Sequence, residues 1–282
     1  MPLDLENLRY VYARGTAFET VALQDLSLHI DDGEFVGVMG RTGCGKSTLL
    51  ALIAGLAVPT EGRILFDGQD INASDCDRMA LRRKVGVVFQ YPEYQLFETT
   101  VERDVGFSLR RFGFSKEETL YRTKAALELV GFDFEKVRAL SPLGLSGGEK
   151  RRVAIAGVLA AEPKLLMLDE PVAGLDPQGR EKFLSLLDGL NAAGTTILMI
   201  SHNADALAEH AKRILALKDG RCILDGPATE IFAEPERLRE NGLGVCQTAA
   251  LAEQLKQNGV DIGAVTKYDA LLNALTERAA KK

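Results

Sequence analysis

Gly40-Arg41-Thr42-Gly43-Cys44-Gly45-Lys46-Ser47 is the stretch on which the fold turns. It follows Glu34 to Met39, which has the apolar character of a buried strand, and runs into Lys46 to Ala57, whose apolar spacing is helical. A glycine-rich loop between a strand and a helix, ending in Gly-Lys-Ser, matches the phosphate-binding loop in the setting that motif requires. Its glycines let backbone N–H groups face phosphate oxygens, and the helix N-terminus adds positive potential. Lys46 is placed to reach the β- and γ-phosphates of a nucleoside triphosphate, and Ser47 to ligate Mg²⁺. The phosphate-binding candidates are Gly40, Arg41, Thr42, Gly43, Cys44, Gly45, Lys46, Ser47 and Thr48.

Working outward, Leu26 to Ile30 and Glu34 to Met39 flank Asp32-Gly33, a spacing that predicts a hairpin with a tight turn. Gly62 to Phe66 before Asp67-Gly68 predicts a further strand and turn, and Val85 to Phe89 a short strand buried on both faces. From Thr100 to about Ala160 the pattern is helical, with Ser115-Lys116-Glu117-Glu118 as a capping box ahead of a helix reaching Val130. Strand patterns return at Leu165 to Leu168, Thr195 to Ile200 and Ile214 to Leu217, the last turning at Asp219-Gly220 into Cys222 to Leu224. Helical stretches at Gln178 to Ala192 and Ala204 to His210 alternate with them, which implies a mostly parallel sheet. The expected fold is α/β. A nucleotide-binding domain over 1–234 contains a helical subdomain at about 91–160, and a C-terminal helical module over 235–282 includes helices at Ala249 to Gln257 and Tyr268 to Ala279.

Bulk composition sets limits. The 282 residues, 46% of them hydrophobic, suffice for a packed core. A net charge of −6, with no basic run longer than the triplets Arg82-Arg83-Lys84 and Lys150-Arg151-Arg152, argues against nucleic acid as a partner. The apolar runs at Leu49 to Val58 and Val153 to Ala161 fall short of the roughly 20 residues that span a bilayer, so membrane association is expected only through partners. Met1 to Glu6 lacks a basic segment followed by an apolar one, and the protein is expected in the cytoplasm. The cysteines Cys44, Cys76, Cys222 and Cys246 lack C-x-x-C spacing and carry no zinc or disulfide signal.

A phosphate loop fits kinases, GTPases and other NTPases alike, so the second half of the chain decides between them. Leu165 to Leu168 end in Asp169-Glu170, two carboxylates at the end of a buried strand. Asp169 is placed to hold Mg²⁺ through water, and Glu170 to polarise an attacking water. In Leu145-Ser146-Gly147-Gly148-Glu149, Ser146 sits where a helix N-cap belongs, and Gly147-Gly148 leave that N-terminus open to a phosphate.

This last motif resembles the signature of ABC ATPases. Along the chain the resemblance extends, in the family's order, to the phosphate loop, Gln90, the signature, Asp169-Glu170, Gly174-Leu175-Asp176 and Ser201-His202. It implies that Gln90 senses Mg²⁺ and the attacking water, and that Asp176 works at a dimer interface. It also implies that His202 contacts the γ-phosphate, that Tyr12 stacks on adenine, and that Ser146, Gly147 and Gly148 act on nucleotide held by a partner. The implied activity is MgATP hydrolysis in a head-to-tail dimer with a second ATPase subunit, either a paralogue or a second copy.

Gln90 to Phe97, Thr100 to Val105, Lys150 to Leu159 and Glu170 to Pro177 look like energy-coupling factor importers of vitamins or metal ions, most like the second, A-prime ATPase. The likeness holds over about 1–230. It implies a peripheral place on the cytoplasmic face of the cell membrane, with a transmembrane coupling subunit and a substrate-capture subunit as partners. It also implies that Glu93, Glu98, Glu102 and Asp104 offer carboxylates to arginines of coupling helices. Two other readings stand beside it: a homodimeric cobalt or nickel importer ATPase, and a soluble ABC ATPase without a transporter. Glu149, where the family commonly has glutamine, is expected to lower activity at that site, and Val172 replaces a frequent threonine.

Overall fold

The computed structural model describes residues 2–280. β1 (Leu3–Tyr12) and β2 (Thr20–Ile30) pair antiparallel, β3 (Phe35–Gly40) leads into the phosphate loop, and α1 (Lys46–Ile53) follows it. β4 (Glu61–Phe66) pairs with β1 and turns through Asp67 (φ 59°) and Gly68 (φ 75°) into β5 (Gln69–Asp70). After α2 (Arg78–Lys84) and β6 (Val85–Val88) the chain is helical up to the next strand. This stretch holds a 3₁₀ turn at Pro92–Gln95, α3 (Val101–Val105), α4 (Phe107–Arg111), α5 (Lys116–Leu129), α6 (Phe134–Val137), a 3₁₀ turn at Pro142–Gly144 and α7 (Gly147–Leu159). Then come β7 (Leu165–Asp169), α8 (Pro177–Ala192), β8 (Thr196–Ile200), α9 (Ala204–His210), β9 (Arg213–Lys218) and β10 (Arg221–Pro227). The chain closes with α10 (Ala228–Phe232), α11 (Pro235–Glu240), α12 (Gln247–Gln257) and α13 (Tyr268–Ala280).

The strands form two sheets, in the orders β2-β1-β4-β5 and β10-β9-β3-β8-β7-β6. In the second sheet every pair except β10 with β9 is parallel. The expected hairpin between Leu26–Ile30 and Glu34–Met39 is therefore corrected: Gly33 does make a turn at φ 69°, but its two strands enter different sheets. Burial explains why. All six residues of β3 are buried, which requires a strand covered on both faces, whereas β2 alternates buried and exposed as a one-faced strand does. The helix expected to reach Ala57 ends at Ile53, because Gly55 takes the left-handed conformation (φ 65°). Ser115 caps α5 by accepting from the Glu118 N–H, but the Glu118 carboxylate turns to Arg122, so only half of the expected capping box forms.

Period-two alternation in the six-stranded sheet divides the molecule into two cores. Val36, Val38, Leu165, Met167, Leu198 and Ile200 face α1 and the smaller sheet. Phe35, Met39, Leu166, Leu168, Ile197 and Met199 face the helices between β6 and β7 together with α8 and α9. Leu238, Leu243, Cys246 and Ala249 belong to this second core, so α11 and the start of α12 are packed onto the nucleotide-binding body, while Ala252, Val265 and Leu271 join α12 to α13 in a third, small cluster. No helix among the described residues is long and apolar enough to cross a membrane.

Candidate active site

Register sets the site. Val38 stands beside Ile200, Ile200 beside Asp169, and Leu168 beside Val88, so four neighbouring parallel strands end at one edge. The phosphate loop leaves β3 there, Ser201-His202 leave β8, Asp169-Glu170 end β7 and Gln90 follows β6. Ligands of open α/β sheets bind at this carboxyl edge. The structure thus gathers residues that lie more than a hundred positions apart in sequence.

Within the loop, Gly45 is the N-cap of α1 at φ 109°, where a Cβ would lie 2.5 Å from the Ala22 carbonyl oxygen. No other residue type fits against β2 at that point. The ammonium of Lys46 is buried and donates to the carbonyls of Gly40 (2.7 Å) and Arg41 (3.0 Å), which keeps the charge inside the loop. Cys44 is buried, while Arg41, Thr42, Gly43 and Ser47 are exposed. Thr48 exchanges a 3.1 Å hydrogen bond with the Tyr12 hydroxyl. The half-exposed ring of Tyr12, set edge-on to Tyr10, lies next to α1 as an adenine platform would.

The Ser47 hydroxyl donates to Asp169 Oδ2 at 3.2 Å, which joins two of the three candidate metal ligands, while the third, Gln90, stands exposed just after β6. Among the described residues no cluster of three or more His, Cys, Asp or Glu side chains is placed to hold a metal. A hydroxyl and a carboxylate are hard oxygen donors, and Mg²⁺ is commonly held by so few protein groups, with water and substrate phosphate completing its shell. The residues present fit that ion.

Glu170 sits in the left-handed region (φ 48°), a strained conformation for a non-glycine residue. Its N–H is fixed by the Ile200 carbonyl at 3.0 Å. Its carboxylate accepts the His202 N–H at 2.8 Å and the buried Ser201 hydroxyl at 3.4 Å, with His202 Nε2 3.7 Å away. Burial pushes the Glu170 carboxyl above the ordinary carboxylate range, and the neighbouring His202 only partly offsets this. A half-buried, proton-hungry carboxylate beside an exposed imidazole suits general-base work on water.

Ser146, Gly147 and Gly148 stand apart. They are exposed at the start of α7, and no hydrogen bond ties them to the chain's own phosphate loop among the described residues. The reciprocal capping box that fails at Ser115 forms here. Ser146 Oγ accepts from the Glu149 N–H and donates to Glu149 Oε2 at 2.6 Å, while the Ser146 N–H donates to the same carboxylate at 2.9 Å. These bonds hold the Glu149 carboxyl below its usual range. Asp176 caps α8 by accepting the Gly179 N–H at 2.6 Å.

Three of the four carboxylates expected to meet coupling arginines are already engaged within the chain. Glu98 pairs with Arg103 and Arg110, Glu102 with Arg138, and Asp104 accepts the N–H groups of Phe97 and Glu98. Glu93 alone of the four keeps a buried oxygen, Oε2, without a hydrogen-bond partner. Sequence reasoning missed Arg151, which is buried and bonded to the turn after Glu170. Inside Lys150-Arg151-Arg152 it resembled one more solvated cation.

Comparison with known proteins agrees with this geometry. A family model described as ABC transporter matches residues 23–173. An energy-coupling factor transporter ATP-binding protein, EcfA2, from Clostridium perfringens is 46% identical over 93% of this chain and 92% of its own length. The protein of the same name from Symbiobacterium thermophilum is 47% identical over 93% and 91%. Among solved structures, cbiO1 of Clostridium perfringens, part of the ABC transporter complex cbiONQ, superposes with a TM-score of 0.74 at 39% identity, covering 89% of this chain and 98% of that one. The ATP-binding cassette MJ0796, dimeric in a post-hydrolysis state with ADP and Pi, gives 0.72 at 33% identity over 80% and 98%. The chain belongs to the ABC transporter family, among the energy-coupling factor ATP-binding proteins.

Proposed function

We propose that this ATPase clamps and hydrolyses ATP at composite sites of a head-to-tail dimer and thereby drives uptake through a transmembrane coupling subunit. The observation that carries the reading is the exposed, phosphate-ready start of α7, which has no bond to the phosphate loop of its own chain. A signature turned outward is of use only to nucleotide held by another subunit. In this reading Lys46 and the loop N–H groups hold the β- and γ-phosphates, and Tyr12 carries the adenine. Ser47 and Asp169 hold Mg²⁺, which supplies charge neutralisation on the phosphates. Glu170 takes the proton of the attacking water, His202 orients that water at the γ-phosphate, and Gln90 completes the polar edge.

The domain reading places the ATP-binding domain at 1–234, its helical subdomain at about 91–160 and the C-terminal module at 235–282. Exposed Tyr91, Tyr94 and Phe97, next to the buried carboxylate of Glu93, form the surface that would receive the membrane subunit. The chain would then sit on the cytoplasmic face of the membrane, held there by its partners. The cargo belongs to a separate capture subunit. The likeness to cbiO1 supports a second reading, a homodimer serving a metal importer.

One experiment separates the two. ATP hydrolysis and sedimentation are measured for the purified chain alone, then with a paralogous cassette and the transmembrane subunit. Turnover only in the mixture supports the paired importer, ATP-induced homodimers with robust turnover support the second reading, and an inactive mixture that still binds ATP refutes the proposal.

A further inference from the structure

The guanidinium of Arg151, in α7, is buried at 6% exposure and spends its donors on one turn of backbone. Nη1 donates to the Ala173 carbonyl at 2.6 Å, and Nη2 donates to the carbonyls of Glu170 (3.1 Å) and Pro171. Nε has no hydrogen-bond partner. Burial lowers the affinity of Arg151 for its proton, and the Glu93 carboxylate is the nearby charge that opposes this. A desolvated cation held by carbonyls, with its one facing carboxylate not bonded to it, is costly for stability alone. Its planar fork, however, fixes the three carbonyls it touches relative to one another. Those carbonyls belong to the turn in which Glu170 is strained at φ 48°.

We propose that Arg151 is a positioning residue for hydrolysis: reaching from the signature helix, it holds the 170–173 turn so that the Glu170 carboxylate stays aimed at water. The inference rests on the assignment of Glu170 as the base. It adds a direct mechanical link. α7 is capped by Ser146, which the proposed function directs at nucleotide on the partner, and about one and a half helical turns later it carries the residue that grips this chain's own Glu170. A shift of α7 answering the partner's nucleotide pulls on the local base without passing through the sheet.

The test uses the full chain in whichever assembly turns over ATP. Arg151→Met is expected to lower kcat about ten- to a hundredfold, while KM and the affinity for a fluorescent ATP analogue stay within about twofold. In a Glu170→Gln background the same change should cost less than about twofold of the residual rate, because Arg151 acts through Glu170. Arg151→Lys, which retains a cation and part of the donor set, should recover part of the loss. Parental kcat in a folded Arg151→Met protein, or an equal fold-loss in both backgrounds, overturns the proposal. If Arg151→Met does not fold, Arg151→Lys and Arg151→Gln are judged by the same two criteria. Parental hydrolysis by Glu170→Gln would instead sink the assignment of the base itself, whereas loss in Glu170→Gln with none in Arg151→Met sinks this inference alone.

Discussion

Replacing Glu170 by glutamine removes the proposed base and leaves almost all of the site's geometry. An amide oxygen can still accept the His202 N–H that Oε1 accepts at 2.8 Å, and the backbone bond from Glu170 to Ile200 is untouched. Exchanging a charge-assisted hydrogen bond for a neutral one costs about 1 kcal/mol. Relief of the burial that disfavours this carboxylate offsets part of that cost. For a chain of this size Tm should therefore move by no more than about 2–4 °C. The loss of a general base is worth about 10²–10⁴ in rate, or roughly 3–5 kcal/mol of barrier. Lys46, Ser47 and Tyr12 are unaffected, so ATP should bind and the closed dimer should persist. Phosphate release under single turnover, Tm and ATP retention through gel filtration measure the three effects separately. Parental phosphate release refutes the reasoning, and loss of ATP retention would show that Glu170 is chiefly structural.

The rate should rise with pH as Glu170 ionises, with an acid limb above the ordinary carboxylate range of about 4–5 because burial raises this carboxyl. A pH–rate profile whose acid limb lies at the ordinary value, or persists in Glu170→Gln, contradicts that. Glu149→Gln releases the Ser146 hydroxyl from its 2.6 Å bond to a carboxylate and removes a negative charge beside the site for the partner's phosphate. Turnover by the assembled dimer should rise severalfold, most clearly at low salt, and an unchanged or lower rate counts against the proposed role of the signature. Gly45→Ala forces a Cβ to within 2.5 Å of the Ala22 oxygen at φ 109°. The left-handed backbone alone costs about 1–2 kcal/mol, so titration should give ATP affinity reduced about tenfold or more, and parental affinity would refute the fit.

The gathering of the candidate residues at one sheet edge was largely legible because each motif is local. Gly-Lys-Ser after a strand, Asp-Glu at the end of Leu165 to Leu168 and Ser-His after Thr195 to Ile200 each carry their structural context within a dozen residues. What the sequence hid depends on contacts across the chain. The Asp32-Gly33 turn is real, yet strand pairing is decided by which strand must be buried on both faces. Only packing distinguishes Ser115, whose partner Glu118 finds Arg122, from Ser146, whose partner Glu149 folds back. Glu98, Glu102 and Asp104 form an acidic surface in one dimension and a set of internal bonds in three.

Glu170 and His202, the proposed hydrolytic pair, are likewise held by contacts across the chain. β7 and β8 bring Glu170 and His202 to the edge, but neither strand fixes the turn that follows it. At Glu170 that task falls to the carbonyl bonds from Arg151. After His202 it falls to the C-terminal helices. Gln247 bonds Asp205 with both its backbone N–H (2.7 Å) and its side chain (3.0 Å), and Lys267 Nζ donates to the Glu209 carbonyl at 2.7 Å. A Cβ on Gly244 would come within 3.6 Å of the His202 carbonyl oxygen, and one on Gly242 (φ 69°) would displace the Arg41 side chain. Residues beyond 234 thus brace α9 and lie beside Arg41 of the phosphate loop, and the side chains of Leu238 and Cys246 are buried in the core shared with β3. Packing crosses the proposed boundary near Pro235, since α11 and the start of α12 share a core with β3, while Ala252, Val265 and Leu271 form a small cluster of their own. The candidate site is a sheet edge held from two sides, by Arg151 of α7 at the 170–173 turn and by the C-terminal helices at α9.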